Sequence, residues 1–141
     1  MHAIRIVAGL VAVTLGALAL LHLYWAAGGA WGGQAAVPER AGAPLFVPSA
    51  TACVVVAALL SSAAALVCLR AVGWAPRFFP RATQIGVLGV ALVFVGRAVG
   101  DFRWIGFFKR ERASRFAQLD SRVYSPLCLA LGLGALFVAL Y

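Results

Sequence analysis

Apolar residues fall into four long runs, separated by three shorter and more polar segments. The runs cover residues 6–27, 49–69, 82–100 and 125–141. A helix needs about 20 apolar residues to cross the hydrocarbon core of a bilayer, and a somewhat shorter run is accommodated by local thinning. The pattern therefore predicts an all-α integral membrane protein, one domain of four transmembrane helices packed as a bundle.

Composition narrows the class of protein further. Hydrophobic residues make up 64% of the chain and charged residues 11%, against about 45–50% and about 25% in soluble domains. The net charge of +8 comes from basic residues that flank the apolar runs, where anionic lipid headgroups are the nearest partner. Because no basic and aromatic module typical of nucleic-acid binding is present, we expect membrane lipids, mainly anionic, as partners and no nucleic acid.

The first run has an alternative interpretation as a signal peptide. Arg5 precedes its apolar core and the small residues 26–30 follow it. The apolar core is longer than the roughly 7–15 residues of a signal peptide, and the stretch from Leu21 to Trp25 is unusual ahead of a cleavage site. We therefore expect a retained span.

The polar segments differ in character. The second, residues 70–81, mixes arginines with Trp74, Phe78 and Phe79, as is typical of a membrane interface. In the third, residues 101–124, a mainly apolar stripe recurs at helical spacing: Ile105, Phe108, Arg112, Phe116, Leu119 and Val123. We expect an amphipathic interfacial helix before the last span. Its basic residues are expected to contact lipid headgroups: Lys109, Arg110, Arg112 and Arg115.

Small residues recur every three or four positions in each span and predict close helix packing. The stripes are Gly9, Ala12, Gly16 and Ala19; Ala50, Cys53, Ala57, Ser61, Ala64 and Cys68; Gly86, Gly89, Gly96 and Gly100; and Ser125, Cys128, Gly132, Ala135 and Ala139. All three cysteines lie on these stripes, so we interpret them as packing residues. No Cys-x-x-Cys or Cys/His metal spacing occurs, and His2 and His22 are one span apart. No metal and no cofactor are predicted.

Four spans place the first and third polar segments on the same side of the membrane. That side collects the unusual residues, which form a candidate polar-face site: His22, Tyr24, Trp25, Arg97, Asp101, Arg103, Asp120 and Tyr124. Tyr24 and Trp25 are expected to be interfacial anchors. Asp120 is expected to pair with Arg115 or Arg122 at the surface.

Two ionisable residues of this site have open roles. Arg97 and Asp101 are one helical turn apart and are expected to pair. Asp101 is then either a buried clamp that holds the third helix or a ligand-binding or catalytic group. His22 continues the small-residue stripe of the first helix, and is either a hydrogen-bonded packing residue or a group that relays protons or contacts a headgroup.

Three functions stay open. The first is binding of a lipid or a membrane partner, including a second copy of the chain, through the polar face. The second is a small membrane enzyme acting on a lipid-like substrate, with His22 or Asp101 as acid/base and Arg103 on the headgroup. The third is an accessory subunit of a transporter. No serine-hydrolase, zinc-protease or phosphate-loop motif is present.

Three stretches carry a family resemblance: His22-Leu-Tyr-Trp-Ala-Ala-Gly-Gly29, Gly100-Asp-Phe-Arg-Trp-Ile-Gly-Phe-Phe-Lys109 and Phe116-Ala-Gln-Leu-Asp-Ser-Arg-Val-Tyr-Ser-Pro-Leu-Cys-Leu129. Together they resemble a bacterial family of small membrane proteins known as domain of unknown function 3995. The resemblance covers nearly the whole chain. It implies a multi-pass protein of the bacterial inner (cytoplasmic) membrane with four spans, and it implies no activity.

The basic residues also predict an orientation. Eight lie in or beside the first and third polar segments, and four lie on the other side of the membrane. Without Arg97 and Arg103, which are candidate site residues, the difference is six against four. The positive-inside rule therefore favours a cytoplasmic polar face, with both chain termini outside.

Overall fold

Four long helices form an antiparallel bundle in the computed structural model, which describes residues 2–40, 42–73, 77 and 79–141. The helices are α1 His2–Ala26, α2 Ala50–Ala71, α3 Pro80–Val99, the short α4 Arg115–Leu119, and α5 Ser125–Leu140. A π-helical turn, Asp120–Tyr124, joins α4 to α5. Within the described residues, four helical stretches are long and apolar enough to cross a membrane, the last running from Arg115 to Leu140. The predicted all-α bundle of four spans is confirmed.

The bundle consists of two packed hairpins. Helix α1 lies mainly against α2 and α3 mainly against α5, and α1 and α2 also contact α5. Their shared core contains Leu15, Val67, Val87, Ala135 and Val138, all fully buried. Large apolar side chains on the outer faces of the helices are exposed, as expected where lipid tails are the solvent.

The small-residue stripes predict the packing face of one helix and miss it in another. In α5, Gly132, Ala135 and Ala139 are buried as expected. In α1, space around Gly9 and Gly16 is open. Ala19 is the buried member of the predicted stripe, and it shares the buried face with Ala8, Val11 and Leu15. A helix rich in alanine and glycine presents small residues on more than one face, so their spacing alone does not select the packed one.

Side-chain hydrogen bonds pair with free backbone groups at the start of α2 and at the end of α5. The Ser49 hydroxyl accepts a hydrogen bond of 3.1 Å from the Ala52 amide and caps α2. At the other end of the bundle, the side chains of Arg70 and Gln84 donate to the Ala139 carbonyl at 3.1 and 3.2 Å. A cation at this helix C-terminus also complements the helix dipole.

The end of the bundle at which α1 and α3 finish and α2 and α5 begin is called the polar end below. The connection from α1 to α2 contains a 3₁₀ turn, Gln34–Ala36, and a two-stranded antiparallel hairpin of Glu39–Arg40 and Ala43–Pro44. At the opposite end, Phe79 is exposed, whereas Trp74 and Phe78 lie outside the described residues.

The connection from α3 to α4, here the polar loop (residues 100–114), is not helical. The expected amphipathic helix through Ile105 and Phe108 is therefore wrong over residues 105–114, and helix begins only at Arg115. Hydrogen bonds from the loop amides to Asp101 and Asp120, which the periodic pattern does not encode, favour the irregular path.

Candidate functional site at the polar end

Asp120 holds the polar loop against the bundle. It lies at the start of the π-helical turn and its side chain is fully buried. Oδ1 accepts a hydrogen bond of 2.7 Å from Nη2 of Arg97 on α3. Oδ2 accepts from the Gly106 amide at 2.8 Å and from Nζ of Lys109 at 2.9 Å. One carboxylate therefore joins α3, the polar loop and the last span.

Lys109 is the second buried ionic residue of this cluster. Its side chain is 1% exposed, and Nζ donates to the Gly106 carbonyl, to Asp120 and to the Ser121 hydroxyl at 2.7–3.0 Å. An ammonium group has three donors, and all three are used here. The expectation that Lys109 contacts lipid headgroups does not fit this position, because the ammonium is turned into the protein.

The π-helical turn determines which way Asp120 faces. The Ser125 amide donates to the Asp120 carbonyl, five residues earlier, in place of the four-residue spacing of an α-helix. The Ser125 hydroxyl also donates to Oδ2 of Asp120 at 3.2 Å. Ser125 is buried inside a continuous helical stretch, where its hydroxyl stabilises the carboxylate.

Two glycines bring the ends of a tight turn together within the polar loop. Gly100 and Gly106 both have positive φ, +91° and +88°. A Cβ atom on Gly100 would collide with the Ile105 carbonyl, and one on Gly106 would collide with the Val99 carbonyl. Glycine is required at both positions, and the close approach directs the Gly106 amide at Asp120.

Asp101 organises this turn from outside the core. Oδ1 accepts hydrogen bonds from the amides of Arg103, Trp104 and Ile105 at 2.9, 2.7 and 3.0 Å. Its small desolvation raises the pKa of this carboxyl, but the three amide donors outweigh it and hold the pKa below the usual 3.8. The expected ion pair of Arg97 with Asp101 is wrong: Asp101 is exposed, and Arg97 pairs with Asp120.

The expected surface pairing of Asp120 with Arg115 or Arg122 is also wrong, because Asp120 is buried and pairs with other residues. Within the described residues, the ion pairs are those of Asp120 with Arg97 and with Lys109. These partners lie 23 and 11 residues from Asp120 in the chain. Sequence reasoning favours neighbours along a helix, so it missed Lys109 and Ser125 as partners of the buried acid.

The end of α1 organises the other connection at this end. Nε1 of Trp25 donates to the Trp31 carbonyl at 2.8 Å, and the Tyr24 hydroxyl accepts from the Trp31 amide at 3.4 Å. His22 lies edge-on to Trp25, with ring centroids 5.0 Å apart. Its Nδ1 donates to the Leu18 carbonyl at 2.8 Å, because a carbonyl oxygen only accepts. His22 is thus a hydrogen-bonded residue at the end of its helix.

Tyr124 joins the two connections. Its hydroxyl donates to the Ala35 carbonyl at 3.1 Å across 89 residues, and its ring lies 6.0 Å from that of Phe116. This contact brings the first and third polar segments together at one end of the bundle, as their expected placement on one side of the membrane requires. The predicted residues nevertheless form separate groups: His22, Tyr24 and Trp25 serve the first connection, and Arg97 and Asp120 serve the polar loop.

The outer surface of the polar loop carries charge that the protein does not neutralise. Arg103, Arg110 and Glu111 are exposed, and none forms an ion pair within the described part of the chain. The Arg103 guanidinium lies 5.1 Å from the centre of the Trp104 ring, a cation–π contact. A cleft of about 410 Å³ is lined by the three charged residues Arg103, Arg110 and Glu111, together with Asp101 and Phe102.

The chemistry open to the buried cluster is limited. Ser121 lies 2.7 Å from Lys109, a spacing that resembles a serine–lysine pair in hydrolases. A lysine acts as a base only through an unprotonated nitrogen, and here Nζ faces a carboxylate and gives all its donors to oxygen. His22 and Asp101 do not contact this serine–lysine pair, since each hydrogen-bonds within its own segment. The cluster is suited to holding a loop in place.

A bundle of four apolar spans, with one buried carboxylate securing the loop at its polar end, defines a multi-pass membrane protein. A family model described as "Protein of unknown function (DUF3995)" matches residues 15–135. The chain belongs to this family, and the expected resemblance is confirmed. The matched range contains every residue of the Asp120 cluster, that is, Asp120 and its hydrogen-bonded neighbours Arg97, Gly106, Lys109, Ser121 and Ser125. No curated protein and no solved structure matches the chain.

Proposed function

We propose that this protein is a bacterial inner-membrane protein that binds phospholipid headgroups through its polar end. The observation that carries the proposal is a group of exposed arginines on or beside the polar loop, with no ion-pair partner among the described residues: Arg103, Arg110, Arg112, Arg115 and Arg122. A guanidinium pairs well with a phosphate, and each basic residue near an anionic membrane surface contributes about 1 kcal/mol.

Aromatic side chains among these arginines support the same function. Phe102 and Phe108 are about 60% exposed, with ring centroids 6.3 Å apart. Exposed rings beside guanidinium groups suit the boundary between headgroups and acyl chains. Since the buried Asp120 cluster anchors the loop to α3 and α5, the arginines are held beside the ends of those helices.

The positive charge also favours a cytoplasmic polar end. Arg97 and Lys109 both pair with Asp120 inside the protein. This carboxylate balances one of their two charges, and neither residue is counted with the surface groups. Six basic residues then lie at the polar end and four at the opposite end, a difference that favours a cytoplasmic polar end under the positive-inside rule.

Native mass spectrometry in mild detergent tests lipid binding directly. The triple variant Arg110→Gln/Arg112→Gln/Arg115→Gln is titrated with phosphatidylglycerol at low and high ionic strength. Three lost arginines are expected to weaken binding by roughly 100-fold at low ionic strength. The wild-type affinity itself should fall with salt.

A matched triple variant at the opposite end of the bundle, Arg5→Gln/Arg77→Gln/Arg81→Gln, removes the same charge from other exposed arginines and is expected to keep the high-affinity site. Equal losses in the two triple variants, or binding that does not respond to salt, would overturn the proposal.

A further inference from the structure

The cleft on the polar loop carries both signs of charge. Arg103 and Arg110 line it together with Asp101 and Glu111. The formal charges of the lining cancel, although the chain as a whole carries +8. Two of the four acidic residues of the entire sequence therefore lie in one cleft, beside two arginines.

These four charged side chains do not neutralise one another. No ion pair within 4.0 Å joins any of them in the described part of the chain, where both ion pairs involve Asp120. Oδ1 of Asp101 is occupied by three amides, whereas no hydrogen bond to its Oδ2 is found among the described residues. The lining thus offers two guanidinium groups and two carboxylates to a molecule that enters the cleft.

The backbone keeps the two sides of the cleft in register. The Glu111 amide donates to the Arg103 carbonyl at 3.1 Å and so joins the two stretches that supply the charges. Phe102 has a positive φ of 62°, an uncommon conformation for a bulky residue, and lies in the wall of the cleft. A pre-formed lining lowers the ordering cost of binding, and about 410 Å³ is within the range of small-ligand sites.

We infer that this cleft binds the headgroup of a zwitterionic phospholipid with a primary ammonium, that is, a phosphoethanolamine headgroup. The inference rests on the proposed lipid-binding function and specifies its ligand. The guanidinium groups of Arg103 and Arg110 bind the phosphate. The carboxylates of Glu111 and Asp101 accept hydrogen bonds from the ammonium, and Phe102 contacts the glycerol and upper acyl carbons. The source of the headgroup is the membrane lipid, because the exposed aromatic rings lie beside the cleft.

Lipids that differ only in the ammonium test this selectivity. Native mass spectrometry is carried out with phosphatidylethanolamine and with phosphatidylcholine of the same acyl chains. The trimethylated ammonium of phosphatidylcholine cannot donate hydrogen bonds. The wild-type protein is expected to prefer phosphatidylethanolamine by roughly tenfold, the effect of one charge-assisted hydrogen bond. A ratio near one would overturn the inference.

Glu111→Gln removes one carboxylate from the cleft and is expected to abolish most of this preference, while binding of phosphatidylglycerol stays the same or becomes tighter. Glu39→Gln is the matched control, since Glu39 lies in the hairpin at the same end and not in the cleft, and it should keep the preference. Retention of the preference in Glu111→Gln, with an unchanged melting temperature, would contradict the assignment.

Two further comparisons separate the ways in which the idea can fail. If phosphatidylglycerol binding depends on the arginines but no lipid is selected by its ammonium, the proposed function stands and the headgroup assignment is wrong. Soluble glycerophosphoethanolamine is expected to compete poorly with the lipid. If it binds as tightly as the lipid, the membrane source is wrong.

Discussion

Nζ of Lys109 lies 2.9 Å from Oδ2 of Asp120, and both side chains are closed to solvent. Lys109 is the single lysine of the chain, so its side-chain amine is a specific chemical reporter of whether the polar loop is packed against the bundle.

Asp120→Asn keeps the shape of the side chain but leaves the lysine without its counter-charge. Removal of one partner from a buried ion pair costs about 3–5 kcal/mol. We expect a lower melting temperature in detergent and a much faster acylation of Lys109, located by peptide mapping. Glu39→Gln, which alters a carboxylate in the hairpin of the first connection, should leave Lys109 protected, and equal acylation rates in wild type and Asp120→Asn would contradict the buried pair.

Lys109 and Arg110 are adjacent in sequence but differ in burial. Lys109→Gln removes the charge from the core, and hydrogen bonds to charged groups contribute about 1.5–3 kcal/mol; we expect a marked loss of thermal stability. Arg110→Gln changes an exposed side chain and should leave the melting temperature close to that of the wild type. Binding of phosphatidylglycerol should respond in the opposite order, with the greater loss per folded molecule in Arg110→Gln. The reverse pattern would mean that the two residues have exchanged roles.

Gly132 lies where α5 meets α3. A Cβ atom at this position would lie 2.7 Å from a methyl carbon of Val95 and 3.1 Å from the Ala91 carbonyl oxygen. Gly132→Ala is therefore expected to destabilise the bundle by about 1–3 kcal/mol through overpacking. Gly96 also lies in a helix, but a Cβ atom added there would meet open space. Gly96→Ala should therefore be neutral or slightly stabilising, because alanine favours a helix. Thermal unfolding of both variants in one detergent measures the difference, and similar melting temperatures would contradict the packing of α3 against α5.

The hydroxyl of Tyr124 is the link between the π-helical turn and the first connection. Tyr124→Phe removes its hydrogen bond to Ala35 and keeps the ring in place. We expect a loss of about 1 kcal/mol, felt locally as faster amide hydrogen exchange near residues 34–37. Exchange in the polar loop should stay unchanged, since the Asp120 cluster is intact. Unchanged exchange at residues 34–37 would show that the link does not hold this turn.

Acid should loosen the turn that Asp101 organises. Because the folded-state pKa lies below 3.8, the carboxylate stabilises the fold above its unfolded pKa, and this contribution is lost as the pH falls below 3.8 and through the folded value. Hydrogen exchange of the amides of residues 103–105, corrected for the intrinsic effect of pH, should therefore show weaker protection in acid. Asp101→Ala should show weak protection at every pH. A turn in that variant that stays protected and keeps its pH response would contradict the role of Asp101.

The spans were predictable because a bilayer requires a long apolar run whatever the helix later contacts. The side shared by the two polar connections was predictable too, since it depends only on the number of crossings. The buried acid was not. Asp101 and Arg97 have the spacing of a helical pair, but α3 ends at Val99, so Asp101 never joins that helix face. Asp120 contacts Lys109 because the close approach of the Gly100 and Gly106 backbones folds the polar loop back. No local periodicity encodes that approach.

The π-helical turn at residues 120–124 makes this helix sensitive to chain length. One residue in an α-helix corresponds to a rotation of about 100°. Deletion of a single residue from the turn, even the exposed Val123, would convert it to α-helix and rotate Asp120 relative to Gly132 and Ala135 by that angle. The carboxylate could then meet Arg97 and Lys109 only if the buried face of α5 turned away from α3. Substitutions at Val123 leave the direction of Asp120 relative to the buried face of α5 unchanged. This stretch therefore tolerates a change of side chain far better than a change of length.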